Sequence, residues 1–382
     1  MAGGERLTSL DAVRGIAASV VVAGHAYFAM PDPWRAAVEP SAWSIVLEPF
    51  HNGDAAVVIF FVLSGCVLSL PYAQARELDY RRYLVRRVCR IYIPFAVAVV
   101  LSYVLYCAVG HRAAPVASDW FNTLWPAHAP DTAGLAAHLL MTGTAPDIAL
   151  NPPMWSLVYE MRVSLIFPLL VLLARNTRLA VLMSLALFAG ALLGLNRLGE
   201  NTHPAQAATV IATLCWTAEI VPYFAAGILL TMHRATLSRA WNAMPSGLRL
   251  LSGAGVFVIF SIRPSFAHLD NDLLYLVGAG VVIVAAHKSE GLRRVLDMAL
   301  PQWLGRISYS LYLTHLPVML AIFPLLESRI AFAPAMALTV TIAFAVAELM
   351  HRLVESPAMT LGRRLTRRAW VPVGAPAPER PL

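Results

Sequence analysis

Charge is what this chain has least of. Only 13% of its 382 residues are charged and 58% are hydrophobic, whereas a soluble domain carries about 25% charged residues. That deficit excludes an ordinary soluble enzyme, because most side chains must meet lipid or other apolar helices. Long polar stretches are missing as well, so no separate soluble domain is expected. Cysteine is scarce: Cys66, Cys89, Cys107 and Cys215 form no CxxC or CxxH pattern. No zinc or haem signature results, no metal is expected, and the cysteines read as small packing residues. Nor does the sequence show the internal repeats common in secondary transporters.

What it has instead is a series of apolar runs near the ~20 residues that cross a bilayer. Ten spans are expected, over residues 10–30, 55–73, 91–109, 155–174, 178–196, 212–231, 247–262, 273–287, 304–326 and 332–352. The fold class is therefore all-α, a polytopic membrane helix bundle. A segment near 133–143 is too short to cross and reads as interfacial or re-entrant. The first run holds Arg14 and His25 and lacks a small-residue cleavage site, so it reads as a retained helix and not a signal peptide. Residues 1–358 form the transmembrane unit. Residues 359–382 form a basic, Pro-rich tail expected to be disordered at its end.

The net charge is +7, yet the basic residues lie between apolar runs and not along a surface suited to nucleic acid. Membrane lipids are the expected surroundings. With the N-terminus inside, cytoplasmic segments hold 22 of the 29 Lys and Arg residues and external ones hold five. That bias alternates loop after loop, which orients the chain with both termini cytoplasmic. The expected location is the inner (cytoplasmic) membrane. The external connection 110–154 is long for a bare connector and is expected to help form a substrate surface.

Ionisable residues inside spans are costly, so each is a functional candidate. Arg14 and His25 are 11 residues apart, about 20° from three full turns and about 16 Å along the axis. They therefore share one helix face, with Asp11 one turn before Arg14. The fourth span opens with Trp155, Ser156, Glu160 and Arg162 at its external end. Glu160 and Arg162 point apart and need partners from elsewhere. Arg86, Arg87 and Arg90 sit before the third span, where fork-shaped donors suit phosphate oxygens. Ser308, Tyr312 and His315 share a face of the ninth span, and Pro317 beyond them would free a backbone carbonyl. Each group also has a structural reading: an interhelical polar contact, a topology signal or a polar seam in the core.

Together these residues resemble the acyltransferase 3 family of transmembrane acyltransferases, over about residues 6–358. LDAVRGIAASVVVAGH is similar to the family's first-helix signature, with its Arg–His pair at Arg14 and His25. FFVLSG, which includes Ser64, resembles the second-helix signature. RRVCRIYIP resembles the arginine motif, with one more residue before its proline than the commonest form. WSLVYE, SYSLYLTH and VESP resemble later signatures, while Arg162 stands where many members have an aromatic or apolar residue.

The resemblance implies an acyl-CoA donor, usually acetyl-CoA, and an extracytoplasmic glycan acceptor such as a surface polysaccharide or lipopolysaccharide. It implies that Arg86, Arg87 and Arg90 hold the donor's phosphates and that His25, Arg14 and Glu160 carry the transfer. His25 would act as general base or accept the acyl group covalently. Asp11, Ser64, Trp155, Ser156, Arg162, Ser308, Tyr312 and His315 would line the substrate path. A small-molecule or lipid-linked sugar acceptor is the alternative within the same chemistry. A transporter or flippase is the alternative outside it.

Overall fold

The computed structural model describes residues 8–38, 41–73, 79–200, 203–261 and 269–366. Among them are eleven principal helices: α1 Thr8–Phe28, α2 Gly53–Ala73, α3 Tyr80–Val109, α4 Thr132–Leu139, α5 Trp155–Ala174, α6 Thr177–Leu198, α7 Val210–Met232, α8 Ser246–Ser261, α9 Leu269–Lys288, α10 Ala299–Glu327 and α11 Phe332–Leu365. No strand occurs among the described residues. Seven helices are long and apolar enough to cross a membrane, and counting three bent helix pairs as spans gives ten. The chain is a multi-pass helical membrane protein. α1 reaches the hydropathy of a span only together with Asp32–Val38, bent 114° away from it, because Asp11, Arg14 and His25 dilute its apolar character.

Local chemistry sets several helix starts. Asp79 accepts from the Arg82 amide at 3.0 Å to open α3, and Asp131 from the Gly134 amide at 2.8 Å to open α4. Asn176 does the same for α6 and Thr209 for α7. Such caps satisfy amide donors that the first helical turn cannot. α3 begins at Tyr80, so the arginine segment before the expected third span is itself helical. α11 likewise continues to Leu365, so the first residues of the expected tail are helical, while 367–382 lie outside the described residues.

Two helix crossings organise the bundle. At Gly15 of α1 a Cβ would collide with the backbone of Leu304 and Gly305, and at Gly305 of α10 with that of Asp11. Gly65 and Gly227 do the same for α2 and α7. Without a hydrophobic drive between helices in lipid, such small residues allow the close backbone packing that holds them together. α10 is the axis, with 78% of its apolar window buried against 22% for α6.

Two π-helical turns interrupt this regularity, Val88–Tyr92 in α3 and His351–Glu355 in α11. Each is followed two residues later by a proline, Pro94 or Pro357. A π turn closes on i→i+5 and so takes up one more residue than an α turn. In RRVCRIYIP such a turn takes up the one more residue before the proline that the family resemblance implies. The hydroxyl of Tyr309 on α10 donates to the Ile91 carbonyl in the first π turn at 2.8 Å. In the second, Glu355 accepts from Ser310 at 2.7 Å and contacts His351 Nδ1 at 3.0 Å.

Candidate active site

α1 carries two polar centres, one toward each of its ends. At the N-terminal end Arg14 Nη1 donates to Asp11 Oδ1 at 3.4 Å. Arg90, Asp11, Glu160 and Arg87 are the charged groups close enough to act on Arg14. Within this cluster Glu160 Oε1 accepts from Ser64 Oγ at 3.0 Å and from Arg87 Nη2 at 3.2 Å. Arg87 also donates to Ser164 Oγ from Nε at 3.2 Å and from Nη2 at 2.9 Å.

Glu160, expected at the external end, thus meets an arginine expected at the opposite mouth. The reason is register: α3 runs antiparallel to α5, with Tyr80 on the Leu165 carbonyl and Arg87 on Ser164 and Glu160. Five residues into α5, Glu160 already lies about 7.5 Å down the helix. The three arginines of the motif therefore differ. Arg86 is tied to Thr366 Oγ1 at 2.9 Å and Arg87 to Glu160. Arg90 is half-buried and makes no hydrogen bond or ion pair among the described residues. A guanidinium beside two others, with its donors uncommitted, is the natural seat for an anionic group.

At the other end His25 Nδ1 lies 3.0 Å from His315 Nε2. His315 Nδ1 lies 2.9 Å from the Leu311 carbonyl. A carbonyl only accepts, so that Nδ1 carries the proton, and in a neutral His315 Nε2 is the acceptor. His25 then donates from Nδ1, which leaves its Nε2 with a lone pair. Trp120, from the chain between α3 and α4, stacks on His25 at 5.7 Å with 12° between the rings. His315 is fully buried and His25 half-buried.

The scaffold behind this pair is specific. Pro317 has no N–H to give the Leu313 carbonyl. Asn151 Nδ2 supplies the missing donor at 2.8 Å. Tyr312 donates to the Pro153 carbonyl at 2.9 Å and meets Ser156 Oγ at 2.7 Å. Freed backbone groups at membrane depth must be satisfied in this way.

Of the remaining candidates, Ser308 bonds within its own helix, to the Gly305 carbonyl at 3.0 Å. Arg162 donates to Thr142, Thr213 and Thr217, pinning α5 to α7 and to the chain after α4. It stands apart from both centres. Trp155 lines a cavity next to the His25 centre. Sequence reasoning missed Trp120, Asn151 and Tyr309. Of these, only Asn151 had a usable signal, the Asn-Pro-Pro step before α5 matched to the carbonyl freed by Pro317.

This arrangement defines a class: a membrane bundle with a charged chamber and an imidazole pair at two levels of one helix. The chain belongs to the acyltransferase 3 family, whose acyltransferase domain matches residues 7–348. It is 24% identical over 352 residues to "Putative peptidoglycan O-acetyltransferase YrhL" of Bacillus subtilis (strain 168), covering 84% of this chain and 53% of that protein. It is 24% identical over 379 residues to "Peptidoglycan O-acetyltransferase OatA" of Listeria monocytogenes, covering 91% of this chain and 55% of that protein. The chain thus spans about half the length of the curated relatives it matches. No solved structure matches it.

Proposed function

We propose that this chain transfers an acetyl group from acetyl-CoA to a hydroxyl of an extracytoplasmic glycan. The observation that carries the reading is the division of α1 into two centres: Arg14 beside the uncommitted Arg90 at one level, and His25 with a free Nε2 at the other. The 22-to-5 basic asymmetry supports a cytoplasmic arginine end and both termini inside. Acetyl-CoA enters there. Arg90 takes a phosphate of the donor, and Arg14 faces the thioester end of its extended arm. Glu160 fixes Arg87 and Ser64 and so keeps the chamber's shape.

The acceptor approaches from the His25 end. His25 Nε2 takes the proton of the acceptor hydroxyl while that oxygen attacks the thioester carbonyl. The C–S bond breaks, and the leaving thiolate takes the proton from His25 to become the thiol. His315 steadies the imidazolium by accepting from its Nδ1–H. The names of the relatives support a glycan acceptor, peptidoglycan being the one they carry. The membrane is the cytoplasmic one, with residues 1–358 as the catalytic unit.

Mass spectrometry of surface glycans from cells with the wild-type protein, with His25→Ala and without the protein tests this. Loss of acetyl groups in the last two supports the proposal. Unchanged acetylation with His25→Ala at normal protein levels overturns it.

A further inference from the structure

Next to the His25 pair lies a cavity between α2, α5, α7 and α9. It is built of two kinds of groups. Trp155, Trp216 and Tyr223 give it flat apolar faces, and Asp54, Glu219 and His203 give it polar edges. It adjoins the reacting end: His203 is close enough to act on His25, and Asp54 on the Tyr312 hydroxyl.

Two of these groups are unspent. Trp216 is 3% exposed, and its indole N–H has no partner. A buried donor without a partner is destabilising, which packing alone does not justify. Asp54 is exposed and makes no hydrogen bond or ion pair among the described residues. The cavity's two carboxylates also make it a poor host for phosphate, so it is not a second seat for the donor.

We propose that this cavity is the subsite that recognises the acceptor glycan. This rests on the acyl-transfer reading of the His25 centre and adds how the acceptor is held. A sugar ring has apolar C–H faces and hydroxyl edges. A face stacks on the half-buried Trp155, hydroxyls donate to Asp54 and Glu219, and a ring or N-acetyl oxygen accepts from Trp216 Nε1. The neighbouring sugar then presents its hydroxyl to His25 Nε2.

The test is calorimetric titration of the purified full chain with tetramers of N-acetylglucosamine and, separately, of glucose. Trp216→Phe keeps an aromatic ring while removing the N–H and part of the indole, and Asp54→Asn changes an exposed group that does not endanger folding. At least one tetramer should bind, with affinity lowered about tenfold by Asp54→Asn and severalfold by Trp216→Phe, while acetyl-CoA binding is unchanged. Binding of neither tetramer, or equal affinity in wild type and Asp54→Asn, overturns the subsite. Transfer assays on His25→Ala separate the two ideas. Sugar binding that depends on Asp54, alongside transfer that ignores His25, leaves the subsite standing and removes the acyl-transfer reading. The opposite pair of results does the reverse.

Discussion

His25 and His315 meet at 3.0 Å ten residues beyond the point where their own helices touch backbone to backbone, at Gly15 and Gly305. The two helices run parallel, so one glycine contact sets the register of the imidazole pair. In the proposed mechanism His315 acts through His25, as a positioning residue that holds one tautomer. His315→Ala should lower kcat for acetyl transfer about 10–100-fold and His25→Ala at least 100-fold. The double variant should be no slower than His25→Ala, because the residues act as one unit. Independent, multiplying losses would contradict that coupling.

Asn151 and Pro317 form a compensating pair. Asn151→Ala leaves the Leu313 carbonyl buried without a donor, at about 1–3 kcal/mol. Adding Pro317→Ala returns a helical N–H to that carbonyl and should recover part of the loss. Thermal unfolding of the single and double variants in detergent reads this directly. No recovery would mean that Asn151 acts through other contacts.

Arg87 and Glu160 have side chains only 8% and 15% exposed. Removing one partner strands the other charge, at about 3–5 kcal/mol, whereas replacing both with apolar residues costs far less. Glu160→Leu and Arg87→Leu should each lower the melting temperature sharply, and the double variant should melt closer to wild type. Loss of transfer in a well-folded double variant would separate the chamber's chemistry from its stability.

Outside the spans, His138 on α4 is 1% exposed, and neither ring nitrogen has a hydrogen-bond partner. Burial pushes its pKa down from 6.5 to about 4, with Asp147 opposing. The folded state thus holds His138 neutral where the unfolded chain is protonated. Its contribution is complete above pH 6.5 and is lost as pH falls toward 4, by up to about 3 kcal/mol. His138→Leu should raise the melting temperature and flatten its decline between pH 6.5 and 4. An unchanged acid profile would mean that His138 finds a partner in solution.

Most of the bundle was legible because hydropathy and basic asymmetry act over short stretches. Trp155–Ala174 coincides with its expected range, and most other helices differ by a few residues, while α3 starts eleven residues before and α11 ends thirteen residues after the expected span. Pairings between distant residues were not legible. Arg14 and His25 are in phase on paper, but nothing local says that His25 meets a residue 290 positions away or that Glu160 reaches back 73 to Arg87. The π turns were hidden too, showing only as one residue too many before Pro94. The cavity beside His25 draws on four helices and so has no local signature.

In the proposed function α1 connects a donor on one side of the membrane to an acceptor on the other through His25. Proteoliposomes can test it, with the chain oriented so that the arginine end faces out, labelled acetyl-CoA outside and an oligosaccharide acceptor sealed within. Label should appear in the enclosed sugar with the wild-type chain and not above background with His25→Ala. Equal labelling with both, or label only when donor and acceptor share one side, would contradict it.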